Sequence, residues 1–129
     1  MDRRALSTAG APSGEGNYSQ AVVAGNLVFV AGTVGRDMAT GTWPEGIRAQ
    51  MEQALKNVSA ILAEAGCTLD DVVKTTTFIT PEALRGGGDE VYEQAFSSEP
   101  KPARSCPIVA LPVPHALVSI EAIAVKPDA

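Results

Sequence analysis

Few side chains in this sequence have the chemistry of a catalyst. The chain holds one histidine and two cysteines in 129 residues, and no spacing spells out a metal cluster or a Ser/His/Asp set. His115 sits in the Pro-rich segment VPHA, where a solvated imidazole at a turn tip is the plain reading and a lone base the alternative. A ribonuclease working through two histidines cannot be built from one His per chain, unless neighbouring copies pool theirs. Cys67 and Cys106 lack ligand spacing and are too few for a disulfide framework, so both read as reduced thiols, Cys67 as a small buried hydrophobe. Arg104 carries a different chemistry. It follows Pro102-Ala103 and opens the segment RSCPIVAL, so a guanidinium rides on a mostly apolar element. Such an arginine either reaches the surface or meets an anion in a sheltered site, and residue types alone leave both open. Strand alternation puts Arg104 and Cys106 on one side and Ser105 on the other.

The elements that must position these residues follow from periodicity. Short apolar runs at 21–24 and 27–31 flank Gly25-Asn26, a pair that tolerates the positive φ of a tight hairpin. Ile47, Met51, Ala54, Leu55, Val58, Ile61, Leu62 and Ala65 recur every three or four positions, with Gln50, Glu52, Gln53, Lys56, Asn57 and Glu64 between them; this predicts an amphipathic helix ending at Gly66. The β-branched run 72–80 alternates Val73, Thr75, Thr77 and Ile79 on one side, a strand pattern. Asp89 is placed to cap a shorter helix whose Val91, Tyr92, Ala95 and Phe96 share a face. Pro100 and Pro102 end it, and strands are expected at 104–111 and 117–125. Residues 1–16 have no periodicity and read as a loose arm, and 35–46, with Trp43 and Pro44, as a loop that folds over something.

One domain spanning 1–129 accommodates all of this. The order strand, strand, helix, strand, helix, strand, strand predicts an α+β fold: a mixed sheet of about six strands with two helices on one face. Thr75, Thr77, Val109, Ile120 and Ala122 put apolar or small residues on both faces, so the second face is expected to be covered by other copies of the chain. Composition excludes other classes. A formal net charge of -5 disfavours nucleic acid as a partner. No run approaches the length of a membrane span and MDRRALST lacks a secretory h-region, so a cytoplasmic location is expected and no membrane partner.

The segments NYSQAVVAGNLVFVAG, ALKNVSAILAEAGCTLDDVVKTTTFI, PARSC and IEAIAV resemble, in order and spacing, the RidA/YjgF family of enamine and imine deaminases, over roughly 18–126. The resemblance implies a chorismate-mutase-like fold packed as a homotrimer, its sheets forming an inner β-barrel, with active sites in the clefts between subunits. It implies hydrolysis of 2-enamino or 2-imino carboxylates to a 2-keto acid and ammonia, with no cofactor and no metal. Carried over residue by residue, Arg104 holds the substrate carboxylate in a bidentate pair that lysine cannot reproduce. Tyr18 lines the pocket, the backbone of Gly32 meets the substrate, and the main chain of Cys106 contacts the nitrogen or the attacking water.

The sequence also departs from that pattern. Where the family deaminases carry a Glu two residues before the Glu of EAIA, this chain has Ser119, and Glu121 lies one strand repeat away, about 6.6 Å. Loss of a general base costs on the order of 10²- to 10⁴-fold. Ala31, Thr33 and Asn17 stand where Ser, Gln and Pro are usual. Three readings therefore stand together: an imine deaminase with Ser119 among its catalytic residues, a divergent enzyme of the aminomuconate-deaminase type acting on another small carboxylate, and a noncatalytic trimer that binds small ligands. The old ribonuclease label finds no aromatic-basic patch to support it.

Overall fold

In a computed structural model, which describes residues 2–127, the long amphipathic stripe forms helix α1, Ile47–Ala63. Its predicted apolar residues are all buried, with Met51, Ile61 and Leu62 at 1% exposure or less, each contributing about 1.5–3 kcal/mol on burial. The helix ends at Ala63 with Glu64 as its C-cap; the turn that follows closes at Gly66, with φ 73°, and the Cys67 amide returns to the Leu62 carbonyl at 3.0 Å.

The sheet has six strands: β1 Arg3–Leu6, β2 Ala21–Ala24, β3 Leu27–Val34, β4 Val72–Ile79, β5 Ala103–Ser105 and β6 Val118–Val125, ordered β1-β2-β3-β6-β4-β5. All pairings are antiparallel except β4 with β5. A second helix, α2 Gly88–Ala95, packs beside α1 on the same face, its Tyr92 hydroxyl 2.6 Å from Thr75 Oγ1. The expected mixed α+β sheet with two helices on one face is thus observed. Among the described residues no helix is long and apolar enough to cross a membrane.

Four expectations need correction. The 1–16 arm is not loose: Arg3–Leu6 pairs with β2 from Arg3↔Ala24 to Leu6↔Ala21, and Leu6 and Ala11 are buried. The buried Gln20 side chain holds the rest, its Nε2 donating to the Thr8, Ala11 and Pro12 carbonyls at 3.1, 3.0 and 2.9 Å while its Oε1 accepts from Thr8 N–H. The 104–111 strand shrinks to β5, because Pro107 has no N–H to give the ladder; β4 is instead extended by a single bridge, Ile79↔Ile108. A register shift between Val72 and Lys74 leaves Val72 buried and throws Val73 out to 48% exposure. Asp89 does not cap α2; Gly87, with φ 85°, takes that position.

The two sheet faces also differ from expectation. Thr75, Thr77, Ile120 and Ala122 all lie under the helices and are buried, while Val109, outside the strands, is half-buried. The open face instead presents Phe29, Lys74, Thr76, Glu121 and Ile123, which line a shallow cleft of about 230 Å³. Phe29 is 42% exposed there.

Candidate active site

The residues nominated from sequence divide into two groups. The first surrounds a cleft of about 650 Å³ lined by Tyr18, Gly32 and Ser119, with Glu15, Arg36 and Trp43 among its walls. An irregularity in β3 builds its floor. Val30 pairs with Ala122 and Thr33 with Ile120, so β3 spends three steps where β6 spends two, and the extra residue is a bulge. Thr33 turns inward, its hydroxyl donating to the Ala31 carbonyl at 2.8 Å. Gly32 is left exposed, and a Cβ on it would lie 2.8 Å from Ser119 Oγ, so any side chain there would fill the space over the serine. Ser119 is 8% exposed and Tyr18 56%. Gly14 leaves room for the tyrosine, since a Cβ there would meet its ring at 2.8 Å. Glu121 lines the open-face cleft and not this one; the carboxylate in this wall is Glu15.

The loop 35–46 does fold over something, as expected: Trp43 forms one wall of this cleft, with its ring 6.4 Å from that of His115. His115 is exposed, with φ 73°. Its contribution is its main-chain carbonyl, which accepts from Gln50 Nε2 at 2.9 Å.

The second group is Arg104 with Cys106. The guanidinium lies over the Tyr92 ring, 4.0 Å from its centroid. Its Nε donates to Thr77 Oγ1 at 3.3 Å, its Nη2 donates to Asp89 Oδ1 at 3.0 Å, and the same Nη2 approaches Cys106 Sγ at 3.9 Å. Nη1 takes no partner among the described residues. Asp89 and Cys106 open into a separate cleft of about 370 Å³. Cys106 is an exposed free thiol and Cys67 a buried one. Burial pushes the Cys67 thiol above its ordinary value of 9.0, the Asp71 charge adds to this, and Lys126 opposes it.

One chain does not bring the two groups together. Arg104 pairs with Thr75 on β4, whereas Ser119 pairs with Phe78, three residues further along and two strands across. That separation is roughly 10 Å in each direction. The side chains also face opposite ways, Arg104 toward Thr77 and Tyr92 beneath the helices, Ser119 with its strand-mates Glu121 and Ile123 on the open face.

Gln50 and Asn57 read as solvent-facing, yet they are 3% and 1% exposed. Asn57 Nδ2 donates to the Val34 and Arg36 carbonyls, both at 2.9 Å, and Gln50 Oε1 accepts from Leu117 N–H at 2.8 Å. These amides tie α1 to the segments that border the Ser119 cleft. Their spacing from Ile47, Ala54 and Ile61 at helical intervals is the signal that could have found them.

Comparison with known proteins agrees with this architecture. A family model described as endoribonuclease L-PSP matches residues 8–126. The chain is 38% identical to rat 2-iminobutanoate/2-iminopropanoate deaminase over 125 residues, covering 96% of this chain and 90% of that protein. Among solved structures, a Rid-family protein of unknown function, YyfA from Yersinia pestis, superposes with a TM-score of 0.88 at 39% identity, covering 96% of this chain and 99% of that one. E. coli TdcF with bound serine superposes with a TM-score of 0.86 at 36% identity, covering 96% and 99%.

Proposed function

The chain belongs to the endoribonuclease L-PSP family, which includes the Rid proteins, and from that premise we propose that it is a cytoplasmic deaminase of 2-imino and 2-enamino carboxylates, working as a homotrimer. The observation that carries this reading is the held guanidinium of Arg104. Thr77 and Asp89 fix two of its nitrogens, its Cζ lies over the Tyr92 ring 4.0 Å from the centroid, and Nη1 has no partner among the described residues. A planar, oriented cation with a free edge is what a carboxylate needs for two parallel charge-assisted bonds.

The chemistry asks for little beyond position. Water adds to the imine carbon, the resulting carbinolamine collapses, the C–N bond breaks, and ammonia leaves with a 2-keto acid behind. No electrons are exchanged. A bound imine held against an oriented water gains most of its rate from proximity, and the Ser119 hydroxyl, which both donates and accepts, can orient that water. Tyr18, Gly32 and Ser119 lie on the opposite face from Arg104 and Cys106, so the reading requires the Ser119 cleft of one copy to meet the Arg104 edge of a neighbour. The relatives support it: the rat protein is named for the activity, and TdcF was solved with serine, a small amino acid. Two free thiols accord with a reducing compartment.

The test is ammonia and keto-acid release from freshly generated 2-iminopropanoate and 2-iminobutanoate. The native chain is expected to accelerate release, and Arg104→Ala to lose about a hundredfold. Ser119 in place of a carboxylate favours one further reading, a small-carboxylate binder without this activity. A native chain that is inert while Ser119→Glu gains activity would establish a site retuned for another ligand, and inertness of both would end the deaminase reading.

A further inference from the structure

The Arg104 site is already partly neutralised. Asp89 places a carboxylate oxygen 3.0 Å from Arg104 Nη2, and the Asp89 side chain is 75% exposed against 23% for Arg104. The aspartate is thus not a buried structural partner. It stands in the first turn of α2 and lines a cleft with Cys106, and its contact with Nη2 puts it next to the Nη1–Nη2 edge where an anion would bind. Only Oδ1 meets the arginine, and Oδ2 takes no hydrogen bond among the described residues.

A carboxylate seated on Arg104 therefore has a second carboxylate for a neighbour. Like charges about 5 Å apart repel, weakly in water and more strongly where solvent is excluded. The repulsion turns to attraction if the ligand carries a positive nitrogen on the carbon next to its carboxylate, because that nitrogen can reach Asp89 while the carboxylate keeps Arg104. We propose that Asp89 is a specificity residue, making the Arg104 site select carboxylates whose adjacent carbon bears a cationic nitrogen over plain carboxylates. The inference rests on the proposed role of Arg104 and names the form of substrate it favours: the protonated iminium, whose carbon is also the more electrophilic toward water.

Propanoate and L-alanine differ at that carbon by the ammonium group alone, and their binding to the intact protein, measured by calorimetry, separates the effects. The native chain is expected to prefer L-alanine. Asp89→Asn is expected to tighten propanoate and weaken L-alanine, each by about three- to tenfold, while Asp89→Glu restores the native preference. A merely structural role would move both ligands in the same direction, and that result, or no change in either, overturns the proposal, as does a native chain that binds propanoate but not L-alanine. Arg104→Ala reports separately on the anchor. If it loses both ligands, any failure of the Asp89 arm is a failure of this inference alone; if it keeps both, the anchor itself is wrong and the inference falls with it.

Discussion

At the scale of single residues, the sequence names the reactive groups but not their neighbours. Arg104 and Cys106 stand out because a charged and a soft side chain interrupt an apolar segment, and the structure places Nη2 of one 3.9 Å from the sulfur of the other. Asp89 does not stand out, since an acid before a helical run looks like a cap; only the fold brings it across to Arg104. The two cysteines show the same contrast between type and setting. Burial holds the Cys67 thiol above its ordinary value of 9.0, so the folded chain keeps a proton that the unfolded chain releases. Stability linked to this group is complete below that value and is lost as pH rises from it toward the folded value. Urea unfolding on either side of the ordinary thiol value is expected to show that loss, with a shallower alkaline slope in Cys67→Ala. Equal slopes would mean that the thiol titrates alike in both states. The exposed Cys106 is expected to be labelled by a thiol reagent in the native protein, and Cys67 only on unfolding.

At the scale of elements, what the sequence conveys depends on how many residues share a pattern. Helix α1 was legible along its whole apolar stripe because seven of its positions, Ile47 to Leu62, repeat the same period; β2, β3 and β6 were legible from their runs and turn. Short or irregular elements were not. Strand β1 is four residues, RRAL, whose partner lies across a loop and whose neighbours are anchored by Gln20, an amide that looks solvated in a linear reading. The bulge at Gly32 and the one near Val73 each invert an alternation that sequence can only extrapolate. One glycine tests how closely these elements pack. At Gly35, just after β3, an added Cβ would collide with the backbone of Gln50 on α1, and backbone in a helix cannot rotate away as a side chain can. Gly35→Ala is expected to cost about 1–3 kcal/mol or more, read as a lowered urea midpoint, and to loosen the Ser119 cleft, whose bordering segments α1 holds. Gly16→Ala, where an added Cβ has open space but φ is 88°, serves as the comparison: a loss there reflects backbone conformation without any steric contact, and if Gly35→Ala costs no more, the close approach of α1 to β3 is not tight.

At the scale of the whole molecule, the sheet buries one face beneath its helices and leaves the other to solvent, with Phe29 and Ile123 lining its open side. The residues from which a second, covered face was expected do not lie on it, because Thr75, Thr77, Ile120 and Ala122 belong to the core. Periodicity and spacing do not show that Tyr18, Gly32 and Ser119 stand on the opposite face of the chain from Arg104 and Cys106, and this separation makes the proposed assembly testable through function. In the proposed ring of three copies joined head to tail, each Arg104 edge would meet a neighbour's Ser119 cleft. Arg104→Ala disables one side of the shared site and Gly32→Val, which fills the space over Ser119, disables the other, so each is expected to be inactive alone. Unfolded together in equal amounts and refolded, the two variants form mixed rings in which a site is whole when its arginine comes from one variant and its glycine from the other. With random mixing that occurs in about a quarter of sites, so recovery of about a quarter of native activity is the expected result. A site contained within one chain would recover nothing, since every chain in the mixture carries a defect.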